Sequence, residues 1–349
     1  MKDGPFPVVR SAQPVTSEVF DTYWKFAYER QEVYFRRLQG RSSPWTTDPI
    51  IRLHRFTNAY RAADRVSQYL IRNVIYADGL RSAKDVLLRI LIFKFFNRID
   101  TWELLNRSLG GIRWSTYSFT DCDRLLTRAI DSGKRIYSPA YIMPACSALG
   151  AGRKHRGHLR LIEKMIVDGV AERLEGATNL AEVFAILQTY PMMGDFLAFQ
   201  YTIDLNYSEL TNFSEFEFVV PGPGARDGLR KIFCDPGGYS EPDLIRWIAE
   251  RQEKEFDRLR LPFRSLWGRR LQLIDCQNLL CEVDKYARVR HPDVVGVSGR
   301  TRIKQRYEPG EPSIPPWFPP KWGLNAKIHS AVDNVSVKTI QRNLFVPIP

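Results

Sequence analysis

The chain has 349 residues, with 51 Lys and Arg against 39 Asp and Glu and a formal net charge of +12 at pH 7. Its 44% hydrophobic and 26% charged residues are typical of a globular protein, which excludes a disordered tail, a collagen and a coiled coil. Five cysteines without a CxxC pair argue against a disulfide framework or a zinc site. There is no secretory signal and no apolar run long enough to span a bilayer, so we expect a cytoplasmic protein with nucleic acid as its first candidate partner.

In chain order, nearly every periodic segment has apolar residues at steps of three and four, which predicts amphipathic helices. The first helix should be capped by Thr16 or Ser17 and end at Gly40. Further helices are predicted at about 59–75, 83–97, 100–107, 120–131, 156–174, 179–189, 195–205, 241–260 and 270–289, with one short strand at 216–220. The predicted fold class is therefore mostly α.

The composition divides the chain into three predicted regions. Residues 1–50 contain an N-terminal helix and a loop, and residues 51–295 form a helical domain. Residues 296–349 are rich in Pro, Gly, cations and aromatic rings, which predicts an extended C-terminal arm and tail rather than core.

A helix-hairpin-helix is predicted at about 179–205. Pro191 cannot extend the first helix, Gly194 permits a left-handed turn, and Asp195 is available to cap the second helix. In such a motif the hairpin amides of Met192, Met193 and Gly194 grip a DNA phosphate. The alternative is an ordinary corner between two helices.

Two other segments are candidates for anion binding. In GAGRKHRG, the side chains of Arg153, Lys154 and His155 are suited to phosphate or to solvent more than to a metal ion. In VVPGPGARDGLRK, loop amides and nearby cations could cradle a phosphate, or the segment could be a plain linker. The candidate residues there are Gly222, Gly224, Arg226 and Arg230.

The helix predicted at 270–289 carries the densest functional chemistry. One stripe at helical spacing is apolar and should face the core. A second stripe contains Asp275, Asn278, Glu282 and Lys285, and a third contains Gln277, Cys281, Asp284 and Arg288. These flanks are either a site or ion-pair ladders on a surface helix.

The segment RFTNAYRAADR offers a further polar group. Thr57 or Asn58 can cap a helix, and Arg61 and Asp64 would then share one of its faces. We expect base contacts from this segment, through Asn58, Tyr60, Arg61 and Asp64, although capping alone would explain its first polar residues.

Five segments, in order, resemble one known superfamily: RFTNAYRAADRVSQYL, FKFFNRIDTWELL, YPMMGDFLAFQY, VVPGPGARDG and DCQNLLCEVDKYARV. They are similar to the α-glutamyl/putrescinyl thymine pyrophosphorylases, or amino acid:DNA transferases. That superfamily includes the helical domain of the 5-hydroxymethyl-deoxyuridine DNA kinases. The resemblance implies a DNA-glycosylase-like helical fold with a helix-hairpin-helix, acting on double-stranded DNA that contains modified bases. Kinase-fused members carry a phosphate loop, and no GxxxxGK[ST] occurs in this sequence, so we do not expect the chain to phosphorylate DNA.

The resemblance implies a flipped-out modified pyrimidine, and three functions remain open. We expect excision of the base first, with Asp284, Glu282 or Asp275 stabilising the sugar cation and Lys285 available for a Schiff base. Gln277 and Asn278 would read the base edge. The alternatives are transfer of an amine that displaces pyrophosphate from a pyrimidine, and a non-catalytic reader of modified DNA. No cofactor, metal, membrane or obligate protein partner is indicated.

Overall fold

The computed structural model describes residues 12–77, 82–139, 143–149, 152–308 and 315–328. These residues are mostly helical, which confirms the predicted fold class. The described residues form two compact units. The first consists of 12–61 and 216–308, and the second of 62–215, apart from its undescribed positions, and 315–328.

The helices and strands occur in the following order along the chain. They are β1 (Val15–Thr16), α1 (Val19–Leu38), α2 (Pro49–Leu53), α3 (Arg65–Tyr69), α4 (Ala83–Phe96), α5 (Ile99–Ser108), α6 (Phe119–Asp131), α7 (Lys154–Val167), α8 (Val170–Glu175), α9 (Leu180–Gln188), α10 (Asp195–Leu205), α11 (Pro223–Ile232), β2 (Phe233–Asp235), α12 (Glu241–Glu250), α13 (Gln252–Arg258) and α14 (Leu273–Arg290). A π-helical turn, Leu70–Ile75, continues α3.

Three predicted elements need correction. The helix expected at 59–75 begins at Arg65, because the backbone amide of Thr57 is engaged by a distant carboxylate instead of starting a helix. The helix expected at 156–174 is interrupted at Gly169, which has a φ of 72°. The strand expected at 216–220 is absent, since the guanidinium of Arg246 takes the carbonyl oxygens of Phe216 and Glu217, each at 2.7 Å.

Helix α14 is the central helix of the first unit, and it is buried along most of its length against α1, α11 and α12. Gly228 of α11 lies so close to it that an added Cβ would be 2.3 Å from the carbonyl oxygen of Leu280. A Cβ at Gly224 would meet Cys281 Sγ at 2.3 Å. Glycine at these two positions therefore allows α11 to lie directly against α14.

Aromatic packing holds α1 in the first unit. The rings of Trp24 and Phe256 meet edge to face with centroids 5.0 Å apart, and those of Phe26 and Phe56 do so at 5.1 Å. Tyr286 of α14 contributes to this second cluster at 5.3 Å from Phe26. Such pairs stabilise a fold beyond the area that they bury, so α14 is fixed on the α1 side by rings.

The second unit is built around α4, which is buried from Leu87 to Phe96. Its one buried amine, on Lys94, lies 2.9 Å from the carboxylate of Asp204 on α10. Helices α9 and α10 lie close to the positions predicted for them and pack against each other. The left-handed residue of the turn is Met192, with φ 63°, whereas Gly194 has φ −70° and serves as the N-cap of α10 in place of Asp195.

The predicted arm is described in two parts. Residues 296–308 belong to the first unit, where they begin with a turn at 296–299, and residues 315–328 belong to the second unit. Residues 309–314 and 329–349 of the predicted arm, and residues 1–11 of the N-terminal region, lie outside the described residues. Among the described helices, none has both the length and the apolar character needed to cross a membrane.

Candidate functional site

The segment 55–61 lies along α14. The sequence predicts polar side chains on both of these elements, and the two sets can form one site only where the elements are adjacent. Asp275 accepts hydrogen bonds from the backbone amide of Arg61 at 2.8 Å and from that of Gln272 at 3.0 Å. The second bond belongs to the capping box that begins α14. Asp275 is 4% exposed. Through these two hydrogen bonds its buried carboxylate links the start of α14 to the segment 55–61.

Glu282 makes the second junction, two turns further along α14. Its Oε2 accepts the backbone amide of Thr57 at 3.1 Å and lies 2.7 Å from Lys285 Nζ. The same ammonium stands 5.3 Å from the centre of the Phe56 ring, within cation–π range. Glu282 therefore fixes the position of Lys285, whose side chain is half-buried.

Asp284 faces the opposite flank, towards α11. Lys231 Nζ lies 2.9 Å from its Oδ1, and the guanidinium of Arg288 hydrogen-bonds its Oδ2. The side chains of Asp284 and Lys231 are 2% and 1% exposed. Because an unpaired buried charge is strongly destabilising, this pair is part of what keeps α11 and α14 together.

Each of the three acids is therefore bonded to a backbone amide or to a cation of the fold. A carboxylate that stabilises a sugar cation must face the substrate and exchange its interactions with it. The acids proposed for excision are instead held within the fold: Asp275 by backbone amides, Glu282 by an amide and Lys285, and Asp284 by Lys231 and Arg288. The geometry does not favour excision.

Between these flanks, α14 presents a narrow half-buried face that we call the α14 stripe, formed by Asn278, Cys281 and Lys285. Thr57 and the other residues of 55–61 border it on one side, and Gly224 of α11 borders it on the other. Burial raises the pKa of the Cys281 thiol to about 12. Cys281 is therefore not a thiolate nucleophile at neutral pH.

Two buried polar atoms near this face have no hydrogen-bond partner among the described residues. They are the side-chain oxygens of Gln277, which is 3% exposed, and of Thr57. Gln277 precedes Cys281 by one helical turn, so its amide lies on the edge of the α14 stripe. Buried groups of this kind are rare in folded proteins and indicate a ligand or an ordered water.

The base-contact residues predicted in the segment 55–64 have different positions. Asn58 accepts a hydrogen bond from Arg30 at 3.3 Å and is half-buried at the stripe. Tyr60 and Arg61 are 1% and 4% exposed, and the Tyr60 hydroxyl donates to the carbonyl of Arg269 at 2.7 Å. Both are enclosed by protein and present no surface to a base. Asp64 lies in the second unit, as the N-cap of α3.

The anion-binding candidates of the first unit also divide into two kinds. Gly222 is the buried N-cap of α11, and Gly224 packs on Cys281, so these glycines serve packing. Arg226 is exposed, with its Nε 3.0 Å from Glu241, and Arg230 is exposed with no ion pair to any described residue. Of these four candidates, Arg230 is an exposed cation without an ion pair to any described residue, whereas Arg226 would have to leave Glu241 to bind an anion.

The remaining candidates, in the second unit, have few free groups. Arg153 pairs with Asp131 at 2.9 Å, and Lys154 lies 4.4 Å from the centre of the Tyr137 ring. His155 is buried, its Nε2 is 2.7 Å from Asp123, and burial lowers its pKa, so it is not presented to a phosphate. In the hairpin, Met193 is buried, Met192 is half-buried and Gly194 is exposed.

A cavity of about 320 Å³ in the first unit is lined by none of the predicted site residues. It lies at the end of α1, where Arg36, Arg264 and Glu32 line its wall. Both arginines are bonded to Glu32, with Arg264 Nε at 2.8 Å, and Arg41 also lines the cavity, so its wall keeps an excess of positive charge. Within the part of the chain that the structure describes, no cluster of three or more His, Cys, Asp or Glu side chains could hold a metal ion.

The described protein is mostly helical, and the three acids of α14 form hydrogen bonds and ion pairs within its fold. Its family follows from sequence: residues 17–296 match the model of the family described as "5-hmdU DNA kinase, helical domain", and the chain belongs to this family. It is 29% identical over 290 residues to a protein named 5-hmdU DNA kinase from Bacillus phage SP10. That match covers 77% of this chain and 45% of the relative, so the chain spans less than half of the relative's length. No solved structure matches the chain.

These comparisons correct the function expected from sequence. The prediction of a DNA glycosylase is wrong, because both the family and the relative are described as a DNA kinase rather than a hydrolase. Amine transfer with displacement of pyrophosphate receives no support either. The part of the resemblance that is confirmed is the helical domain of the 5-hydroxymethyl-deoxyuridine DNA kinases.

Proposed function

We propose that the chain acts in the phosphorylation of 5-hydroxymethyl-deoxyuridine in DNA, and that it binds the DNA and presents the hydroxymethyl group of the base. The observation that carries this proposal is the family match over residues 17–296. The matched residues include the segment 55–61, α11 and α14, so they contain the whole α14 stripe.

The acceptor half of the reaction is the part we assign to this chain. A kinase must hold a nucleoside triphosphate, and the common device is a GxxxxGK[ST] loop whose amides cradle the phosphates. The 349 residues contain no such segment. The relative is also more than twice as long as the matched part, so the activity in its name need not belong to the shared residues alone.

In the proposed reaction, the hydroxymethyl oxygen attacks the γ-phosphorus of the triphosphate and the bond to the β-phosphate oxygen breaks. The hydroxyl proton leaves to solvent or a donor-side base. Catalysis of phosphoryl transfer is mainly positioning and electrostatic stabilisation, with little covalent work for the protein. An acceptor site therefore does not need a free carboxylate, and the paired acids of α14 suit it.

The α14 stripe has the groups that this role requires. The base has to leave the duplex stack to be reached. The half-buried amide of Asn278 can bond the edge of a uracil ring, since an amide both donates and accepts. Lys285, fixed by Glu282, supplies a cation beside the phosphoryl group as it transfers.

The proposal is tested by binding to two labelled duplexes that differ in one base, 5-hydroxymethyl-deoxyuridine or thymidine opposite adenine. These bases differ by one hydroxyl group, and a site that hydrogen-bonds that group discriminates strongly against its absence. We expect at least about tenfold tighter binding of the hydroxymethyl duplex. Asn278→Ala, which removes the bond to the ring edge that both bases share, should weaken binding to both duplexes, whereas Asn73→Ala, which removes an exposed amide in the second unit, should change neither affinity. Equal affinity of the wild-type chain for both duplexes would contradict the proposal.

The phosphoryl step is tested by complementation. A truncated form of the SP10 relative, lacking the part that matches this chain, is incubated with labelled ATP and 5-hydroxymethyl-deoxyuridine DNA. Addition of this chain should restore transfer of label to the hydroxymethyl DNA and not to thymidine DNA. Transfer that is equally fast without the chain would show that the matched region is not the acceptor site.

A further inference from the structure

The first part of the C-terminal arm, residues 298–307, is held against the first unit at several points. The Ser298 amide donates to Asp227 of α11 at 2.8 Å. Arg288 of α14 donates to the carbonyl of Arg302 at 3.1 Å. The path ends in an antiparallel bridge between His54 and Arg306.

Two backbone hydrogen bonds flank that bridge. The amide of Arg55 donates to the carbonyl of Gln305 at 3.1 Å, and the amide of Tyr307 donates to the carbonyl of Leu53 at 3.0 Å. The ring of Tyr307 also meets that of Trp45 edge to face at 6.4 Å. The fold therefore fixes the backbone of the arm at these points, and a ligand has to order only the side chains of the arm when it binds.

Cations alternate along this path at every second residue: Arg300, Arg302, Lys304 and Arg306. We call these four residues the arm cations. All four are exposed, and none forms an ion pair with any described residue. Of the intervening residues, Ile303 and Tyr307 are half-buried, whereas Thr301 and Gln305 are exposed. The arm therefore packs on the first unit through Ile303 and Tyr307 and leaves its four charges exposed.

The spacing of the arm cations matches a regular polyanion. A fully extended chain advances about 6.5 Å every two residues, so the four charges cover at most roughly 20 Å. One DNA strand carries a phosphate for about every 3.4 Å of its axis. Long, mobile Arg and Lys side chains on such a rail can each reach a separate phosphate. The exposed Arg55, bonded to Gln305, adds a cation at the same end.

We propose that the arm cations bind the phosphate backbone of DNA and hold it beside the α14 stripe. The inference rests on the proposed function in one respect, that the ligand is DNA. The arm lies beyond residue 296, where the family match ends, so the family does not supply it. Arg288 connects the two sites, because it holds the Arg302 carbonyl and lies one helical turn after Lys285.

The test is the salt dependence of binding to a duplex without any modified base. In the first variant all four arm cations are replaced by Gln. In the control, four exposed cations of the second unit are replaced in the same way: Arg113, Arg128, Lys134 and Arg135. Both variants lose the same formal charge, so a difference between them reports the location of the charge.

We expect the arm variant to lower the slope of log Kd against log salt by about 3 to 4, since each phosphate contact contributes about 0.9. The control should change the slope by less than about 1. An arm variant whose slope equals that of the wild type, or that changes no more than the control does, would overturn the inference. The side chains are exposed, so both variants should keep the wild-type melting temperature. If the fourfold arm variant is destabilised, the double variant Arg300→Gln/Lys304→Gln is used for the same measurement.

The outcome is separable from that of the proposed function. The arm variant should weaken binding to hydroxymethyl and thymidine duplexes by the same factor, which leaves their ratio unchanged. If the arm variant keeps the wild-type salt slope while the wild-type chain binds the hydroxymethyl duplex about tenfold more tightly than the thymidine duplex, only the arm inference is overturned. If the arm variant has a reduced salt slope but the wild-type chain binds both duplexes equally, the proposed acceptor site is overturned and the contact with the phosphate backbone is supported.

Discussion

Replacement of Lys231 by Met leaves the carboxylate of Asp284 buried with only one of its two cations. The two side chains are 1% and 2% exposed and their charged atoms are 2.9 Å apart. Removal of one partner from a buried pair costs about 3 to 5 kcal/mol, and Arg288, which stays bonded to Asp284, places the expected loss near 3 kcal/mol. We therefore expect a clear fall in the free energy of unfolding.

Urea unfolding at neutral pH, followed by circular dichroism, measures this change. Lys164→Met is the matched control, because the pair of Lys164 with Asp168 lies on the surface of α7 with the ammonium side chain 48% exposed. Its loss should be less than about 1 kcal/mol. The double variant Lys231→Met/Asp284→Leu should be more stable than the sum of its single variants, because it removes both buried charges. A loss within 1 kcal/mol for Lys231→Met would refute the structural role of Asp284.

Three other predictions concern packing, pH and DNA. Gly228→Ala should destabilise the first unit by about 1 to 3 kcal/mol or more, because the added Cβ would be 2.3 Å from the carbonyl of Leu280; Gly176→Ala, whose Cβ would meet its nearest atom at 3.5 Å, should be nearly neutral in the same denaturation assay. Burial lowers the pKa of His158 to about 4 from 6.5, so the unfolded chain binds the extra proton between these values, and stability should fall by about 3 kcal/mol as pH drops from 6.5 to 4. His158→Gln should flatten that part of a pH series, and an equally steep series would contradict the assignment. Arg230→Gln should lower the salt slope of DNA binding by about 0.9, as measured by fluorescence anisotropy, and an unchanged slope would remove Arg230 from the interface.

Helix positions followed from apolar spacing, because a helix in a large core must direct an apolar stripe inward. The same spacing correctly grouped Asp275 with Glu282 on one flank of α14 and placed Asp284 on the other. Local sequence failed where a distant residue decided the conformation. Thr57 has the chemistry of a helix cap, but its amide is bonded to a carboxylate 225 residues away in the chain.

The roles of the acids could not be predicted for a related reason. A carboxylate on a polar stripe is equally suited to catalysis and to an ion pair until its neighbours are known. Nothing in the spacing of Gly224 and Gly228 shows that α11 lies on Cys281, or that Lys231 then reaches Asp284. Buried pairs of this kind form between elements that are remote in sequence.

The functional prediction failed because it used the fold analogy and the missing phosphate loop as its guides. Glycosylase-like architecture does not determine a reaction, since one fold carries many functions. The informative signal was the ordered set of five segments shared with the helical domain of the 5-hydroxymethyl-deoxyuridine DNA kinases, and the family match covers that set. The absence of a phosphate-loop sequence bears only on how a nucleoside triphosphate is bound, and not on how the DNA substrate of a kinase is bound.

The central claim is that the modified nucleotide rests against the α14 stripe, and photocrosslinking tests it most directly. A duplex carrying 5-iodo-deoxyuridine at the target position is irradiated with the full chain, and the attached peptide is identified by mass spectrometry. The account predicts attachment within residues 273–290 or within the adjoining segment 55–61. Attachment confined to the hairpin at 180–205, or to any other part of the second unit, would contradict it.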